Sequence, residues 1–193
     1  MNFTDRELEI LKNKEFLLTK AKVSSKIREL LSITSLELKN IYNESDLSFP
    51  SKSAFKSSKI SKGENYRGLP YLVLDYPAIF LNNNIFAFRT MFWWGNFFSA
   101  TLHLQGVSLE HYQEKIIKQM PKLFNQQIFI SIGNSPWEYH YGEDNYRLVE
   151  EAYLKTLRNK AFCKLSKKLD LDKLDELPSF STDFFCKILD VLS

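Results

Sequence analysis

From Phe97 to Gln105 the side chains alternate without a break. Phe98, Ala100, Leu102 and Leu104 fall on one side of an extended chain, and Ser99, Thr101, His103 and Gln105 on the other. An unbroken period of two is the signature of a strand with one face in a core, and no helix accommodates it. The same pattern extends back through residues 70–105, the most aromatic part of the chain. Leu72, Leu74 and Tyr76 oppose Tyr71, Val73 and Asp75, after which Pro77 ends or bends the strand. Asn82-Asn83-Asn84 reads as a turn between residues 78–81 and a strand over residues 85–92, and Trp93-Trp94-Gly95-Asn96 as the next turn. A meander of antiparallel strands follows.

Further strands are expected over residues 127–132 and 137–141, joined by the Gly133-Asn134-Ser135-Pro136 turn. The second carries Trp137, Tyr139 and Tyr141 on one side and Glu138 and His140 on the other. Helices flank these strands. Thr4 and Glu7 form a capping box, and Leu8, Leu11, Phe16 and Leu18 supply an apolar face. Ser24 or Ser25 is placed to cap a second helix bearing Ile27, Leu30, Leu31, Leu38 and Ile41. Ser108 is expected to cap a helix that ends at Pro121, Asn145 one through Leu165, and Ser181 one from Thr182 to Leu192, after a turn region over residues 169–178. The expected fold is α+β, a single domain over residues 1–193 with an antiparallel meander sheet of about five to six strands, residues 70–141, packed on N- and C-terminal helices.

Residues 44–64 are rich in Ser and Lys and lack any sustained period, so they read as a flexible loop. The loop ends in Lys62-Gly63-Glu64-Asn65-Tyr66-Arg67-Gly68-Leu69-Pro70, where glycines beside charges make a shaped turn that presents Glu64 or Arg67 at a defined place. It is not a phosphate loop, because it lacks GxxxxGK[ST] and opens no helix.

The charge balance of 26 Lys plus Arg against 23 Asp plus Glu is too even for a nucleic-acid footprint, and only six of those cations are Arg. The wealth of Lys, Asn, Ile and Phe fits an AT-rich, bacterial-like coding sequence. Cys163 and Cys186 stand apart in segments read as helix, which points to reduced, buried thiols rather than a metal site or a bridge. The polar start MNFTDRELEI is not a secretion signal, and polar residues break the apolar run over residues 85–104, so neither export nor a membrane span is expected and the location is read as cytoplasmic.

The second face of the expected sheet collects the polar residues that function would use. Asp75, Arg89, Thr101, His103, Glu138 and His140, with Glu64 and Arg67 from the turn, form the candidate ligand site. Arg89 within an aromatic run requires a partner, either Asp75 or Glu138 or a ligand anion. His103 and His140 read as histidines on a solvated strand face, or as bases if a carboxylate orients them. The trio His103, His140 and Glu138 has zinc-type ligands without a recognised spacing, and His111 lies on a helix, so no metal or cofactor is expected.

These residues lead to a binding domain for a small ligand or a protein, with Arg89, His103 and His140 approaching one cavity. The alternatives are a hydrolase using His103 or His140 with a carboxylate, with or without metal, and an interaction module using an exposed Leu8, Leu11 and Leu18 face. No specific nucleic acid or membrane partner is expected, and the assembly is a monomer or homodimer.

Overall fold

The sheet has seven strands, all antiparallel. Across it run β1 (Lys59–Tyr66), β2 (Leu69–Leu81), β3 (Asn84–Trp93), β4 (Phe97–Gln105), β7 (Phe162–Leu169), β5 (Phe129–Ser131) and β6 (Tyr146–Leu148). This computed structural model describes residues 2–45, 58–81 and 83–193, the side chains of residues 155 and 156 excepted. The helices are α1 (Asp5–Lys12), α2 (Lys14–Glu44), α3 (Val107–Gln119), the short α4 (Leu154–Leu157) and α5 (Leu177–Leu192).

The α+β class and the antiparallel sheet packed on N- and C-terminal helices are as the alternation requires. The parity of residues 70–105 also holds: Leu72, Leu74, Phe86, Phe88, Phe98, Ala100, Leu102 and Leu104 all enter one buried apolar cluster. Helices α2, α3 and α5 cover that face through Ile27, Leu31 and Leu38, then Leu109 and Ile116, then Phe184 and Phe185. Phe88 packs 4.8 Å from Phe185 between ring centroids. The polar pair on this side, Thr90 and Ser181, satisfies itself, the two hydroxyl oxygens lying 2.9 Å apart.

The sheet is wider than expected, and the differences have physical causes. Residues 59–66, read as loop, form the edge strand β1. Its backbone pairs with β2 while its side chains stay largely solvated, so no apolar period marks it. Of the expected loop over residues 44–64, residues 46–57 lie outside the described residues, as does Asn82 of the expected turn. Residues 137–141 are not a strand. Instead Tyr146–Leu148 pairs with Phe129–Ser131. The helix expected from Asn145 through Leu165 does not form, because Cys163 and Leu165 take the core side of β7 and Phe162, Lys164 and Ser166 the other.

Helix ends also differ. Asn13, not Ser24 or Ser25, caps α2, its side chain accepting from the Phe16 N–H at 2.9 Å. Gly106 stands at the N-cap of α3 with φ +61°, where an added Cβ would lie 1.9 Å from the Asn83 carbonyl oxygen. Helix α5 begins at Leu177 with Pro178 in its first turn, leaving Ser181 inside it. The capping box is present, Glu7 N–H donating to Thr4 Oγ1 at 3.3 Å and Thr4 N–H to Glu7 Oε2 at 2.7 Å. Pro77 follows a cis peptide bond and β2 continues past it with a register shift between Asp75 and Ala78. Both cysteines are free, but only Cys163 is buried, and Cys186 is exposed.

Candidate functional site

The second face of the sheet holds the charged residues that the alternation assigns to it. Strand register sets Asp75 opposite Arg89, Arg89 opposite Thr101 and Thr101 opposite Ser166. The neighbouring row runs Ala87, His103, Lys164. In place of solvent, residues 132–145 cross this face as a strap. They leave β5, cross the sheet and return as β6.

Asn145 closes the strap at both ends. Its carbonyl accepts from Ile132 N–H at 2.8 Å, and its side-chain amide donates to the His140 carbonyl at 2.7 Å. Along the strap Tyr139 and Tyr141 point at the sheet while Glu138 and His140 point away, the alternation expected of a strand being kept without strand pairing.

Beneath the strap, Asp75 and Arg89 form a bidentate ion pair, Nε to Oδ1 at 2.7 Å and Nη2 to Oδ2 at 2.9 Å. Arg89 Nη1 donates to Tyr139 Oη at 2.7 Å. Burial works against the guanidinium charge, but Asp75 and Tyr139 outweigh it and hold the arginine pKa above its ordinary value. The same burial pushes the Tyr139 phenol up to about 12.

Lys164 is fully buried against the same ring. Its ammonium lies 4.0 Å from the Tyr139 centroid and donates to the Glu138 carbonyl. Burial, then the Arg89 charge, push Lys164 down to about 7, with Glu138 opposing. Thr101 and Ser166 share a hydroxyl contact of 2.7 Å, and Ser166 meets Tyr141 Oη at 2.5 Å.

His103 is buried, not solvated. It sits edge-on to Trp137 at 5.5 Å between ring centroids, and its Nε2 has no hydrogen-bond partner among the described residues. Burial, then Lys164 and Arg89, push it down to about 3, so it is neutral at ordinary pH.

Glu138 and His140 form a second, outer cluster. Tyr66 Oη donates to Glu138 Oε2 at 2.9 Å and accepts from the backbone N–H groups of Tyr139 and His140 at 2.6 and 3.1 Å. Burial raises the Tyr66 pKa, keeping this phenol a neutral donor. His140 Nδ1 lies 3.0 Å from Glu138 Oε2 and its Nε2 3.0 Å from Asp144 Oδ1. Both ring nitrogens therefore face carboxylates. The contact with His140 lowers the Asp144 pKa, and the more distant Arg67 charge assists. Arg67 itself occupies the turn between β1 and β2 at φ +51°, beside Gly68 at φ +83°.

The candidate residues thus fall into three groups. Asp75, Arg89, Thr101 and His103 lie under the strap, Glu138 and His140 on it, and Glu64 on exposed β1, 3.3 Å from Lys62. Arg67 stands near Asp144. Two hollows adjoin them. A cavity of about 240 Å³ is lined by Tyr66, Tyr71, Val73, Arg89, Met91, Trp137 and Tyr139. Of Arg89, His103 and His140, expected to share one cavity, Arg89 alone lines it, because His103 is sealed beside Lys164 and His140 points outward.

An open groove of about 470 Å³ lies where α2 crosses the turn of β1 and β2, between Lys20 and Arg28 on the helix and Lys62, Glu64 and Tyr71 on the sheet. Tyr71 borders both hollows. Gly63 gives its ring room, since a Cβ there would lie 2.3 Å from the ring.

Lys164, Ser166, Tyr66 and Tyr139 are site residues that the sequence reading missed. Lys164 and Ser166 share a parity that the sequence displays over residues 162–169, a period of two hidden by reading that segment as helix. Among the described residues no group of three or more His, Cys, Asp or Glu side chains is placed to hold a metal ion, and no helix is long and apolar enough to cross a membrane.

No family model, curated protein or solved structure matches the chain.

Proposed function

We propose that the protein binds a small ligand in the cavity walled by Arg89 and six aromatic or apolar side chains around it. The observation that carries this reading is the guanidinium itself. Asp75 and Tyr139 take three of its five N–H donors, so two remain for a ligand oxygen at the cavity wall. Tyr66, Tyr71, Trp137 and Met91 offer flat and apolar surface to the rest of the molecule. A volume of about 240 Å³ is below the roughly 300–1,000 Å³ usual for drug-sized ligands. The ligand class is therefore a compact aromatic or branched aliphatic body with one carboxylate or carbonyl.

The hydrolytic alternative has less support. His140 does meet carboxylates, but both its nitrogens are taken up by them, and His103 has no carboxylate partner among the described residues. The unpaired cysteines fit a reducing compartment, which supports the cytoplasm as the location.

A thermal-shift screen of small aromatic and aliphatic carboxylates tests the proposal against wild type and Met91→Trp, whose indole fills the cavity. Stabilisation of wild type that is lost in Met91→Trp is the expected result. A ligand at a hundred times its Kd adds about 2.7 kcal/mol, readily seen as a shifted midpoint. Equal shifts in both proteins, or none in either, overturn the proposal.

A further inference from the structure

Among the described residues the N-terminal helix α1 buries no side chain and borders only a shallow hollow with Phe16 at the start of α2. Leu8, Ile10 and Leu11 are exposed, as are Phe16, Leu17 and Leu18 just beyond it. Helix α2 has no buried residue before Ile27, and its first contacts with the sheet are at the groove edge through Leu17 and Lys20. An isolated helix shorter than about 12–15 residues is marginal in water. The capping box on Thr4 adds only about 1 kcal/mol. A stable, eight-residue α1 therefore needs a surface to cover Leu8 and Leu11.

The groove between α2 and the β1–β2 turn has the matching chemistry. Leu17, Pro70, Leu72 and Trp94 provide apolar walls, and Lys20, Arg28 and Lys62 outnumber Glu64 at its margins. Glu64 is close to Lys62 and Lys20, whereas Arg28 makes no ion pair among the described residues. Helix α1 carries Asp5, Glu7 and Glu9 beside its leucines and is net acidic by one charge over Arg6 and Lys12, with Glu9 paired to Arg6 at 2.9 Å, Glu7 in the capping box and Asp5 at its first position. Acid and apolar groups on the helix thus meet base and apolar groups in the groove.

The chain's own α1 cannot make this contact. Only Asn13 separates it from α2, whose residues from Leu17 onward line the groove, and two helices need a loop of about 2–5 residues to pack side by side. The helix that fits must come from a different molecule. We propose that α1 of one copy docks in the groove of a second copy and receives that copy's α1 in return, forming a two-fold dimer by reciprocal exchange. This inference is independent of the ligand assigned to the Arg89 cavity.

Light scattering and sedimentation velocity on the full chain, across the micromolar range, read the assembly directly. A dimer is expected. The chain lacking residues 2–12 is expected to be a folded monomer whose unfolding midpoint lies below that of the full chain and no longer depends on protein concentration. Lys20→Glu/Arg28→Glu is expected to be monomeric as well, with α1 intact.

In a Cys186→Ser background, a mixture of Leu8→Cys and Ser25→Cys chains should give a disulfide-linked heterodimer under mild oxidation. A full chain that remains monomeric throughout overturns the proposal. So does a dimer that survives loss of residues 2–12, or one that forms no Leu8-to-Ser25 link. A monomer whose groove instead binds an acidic, leucine-bearing peptide would assign the groove to another protein.

Discussion

Lys164 and Arg89 both lie against the Tyr139 ring, 4.0 and 5.0 Å from its centroid. A single strap residue therefore covers two buried cations, and the Arg89 charge still lowers the Lys164 pKa. Asp75 pairs with Arg89, while Glu138 is the carboxylate whose charge supports Lys164.

Removing that charge isolates the guanidinium. Asp75→Asn is expected to cost about 3–5 kcal/mol, the usual result of breaking one half of a buried pair. The double variant Asp75→Leu/Arg89→Met should recover most of the loss, because neither charge then needs solvating. Urea unfolding of the three proteins checks both outcomes, and additive losses would refute the pairing.

Lys164 gives stability a pH dependence. Its folded pKa of about 7 lies below the ordinary lysine value of 10.5. The unfolded chain therefore binds the proton more tightly in between. Stability is fully present above the unfolded value and is lost as pH falls toward 7, at up to about 1.4 kcal/mol per pH unit. Melting curves from neutral pH to just below the tyrosine range should rise in wild type and stay flatter in Lys164→Met.

His103 acts in a lower window. Its pKa of about 3 against an ordinary 6.5 means that stability falls as pH drops from 6.5 toward 3. Acid unfolding of His103→Phe, whose ring fits between Trp137 and Phe162, should lack that part of the decline.

Tyr66 pins the strap through two backbone N–H groups and Glu138. Tyr66→Phe is expected to cost about 1–3 kcal/mol, the penalty for leaving such donors unmet. Amide hydrogen exchange should accelerate at Tyr139 and His140 in particular. Unchanged exchange at both would show that the strap is held elsewhere.

What the sequence displayed followed from how each residue is buried. The parity of residues 97–105 was legible because one whole face of β4 enters the helix-covered core. That Arg89 needs a partner was legible because it is a cation in an aromatic run, but the choice of Asp75 over Glu138 or a ligand anion depended on strand register. Strand β1 was not legible, since an edge strand with solvated side chains carries no apolar period. Strand β7 was missed for a different reason. Lys164 and Ser166 are buried under the strap, so polar residues occupy an inward face where hydrophobic patterning expects apolar ones. Tyr139 and Tyr66 owe their roles to a covering segment whose path depends on backbone hydrogen bonds to a distant phenol, information that lies in neither residue's neighbours in sequence.

Tyr71 has a consequence of another kind. It lines both the Arg89 cavity and the groove beneath α2. An occupant of one hollow that displaces this side chain changes the room in the other, and thermodynamic reciprocity then requires the two effects on affinity to be equal. Gly63 lets the ring lie close to the β1 backbone, so any residue with a Cβ there would move the wall that the two hollows share.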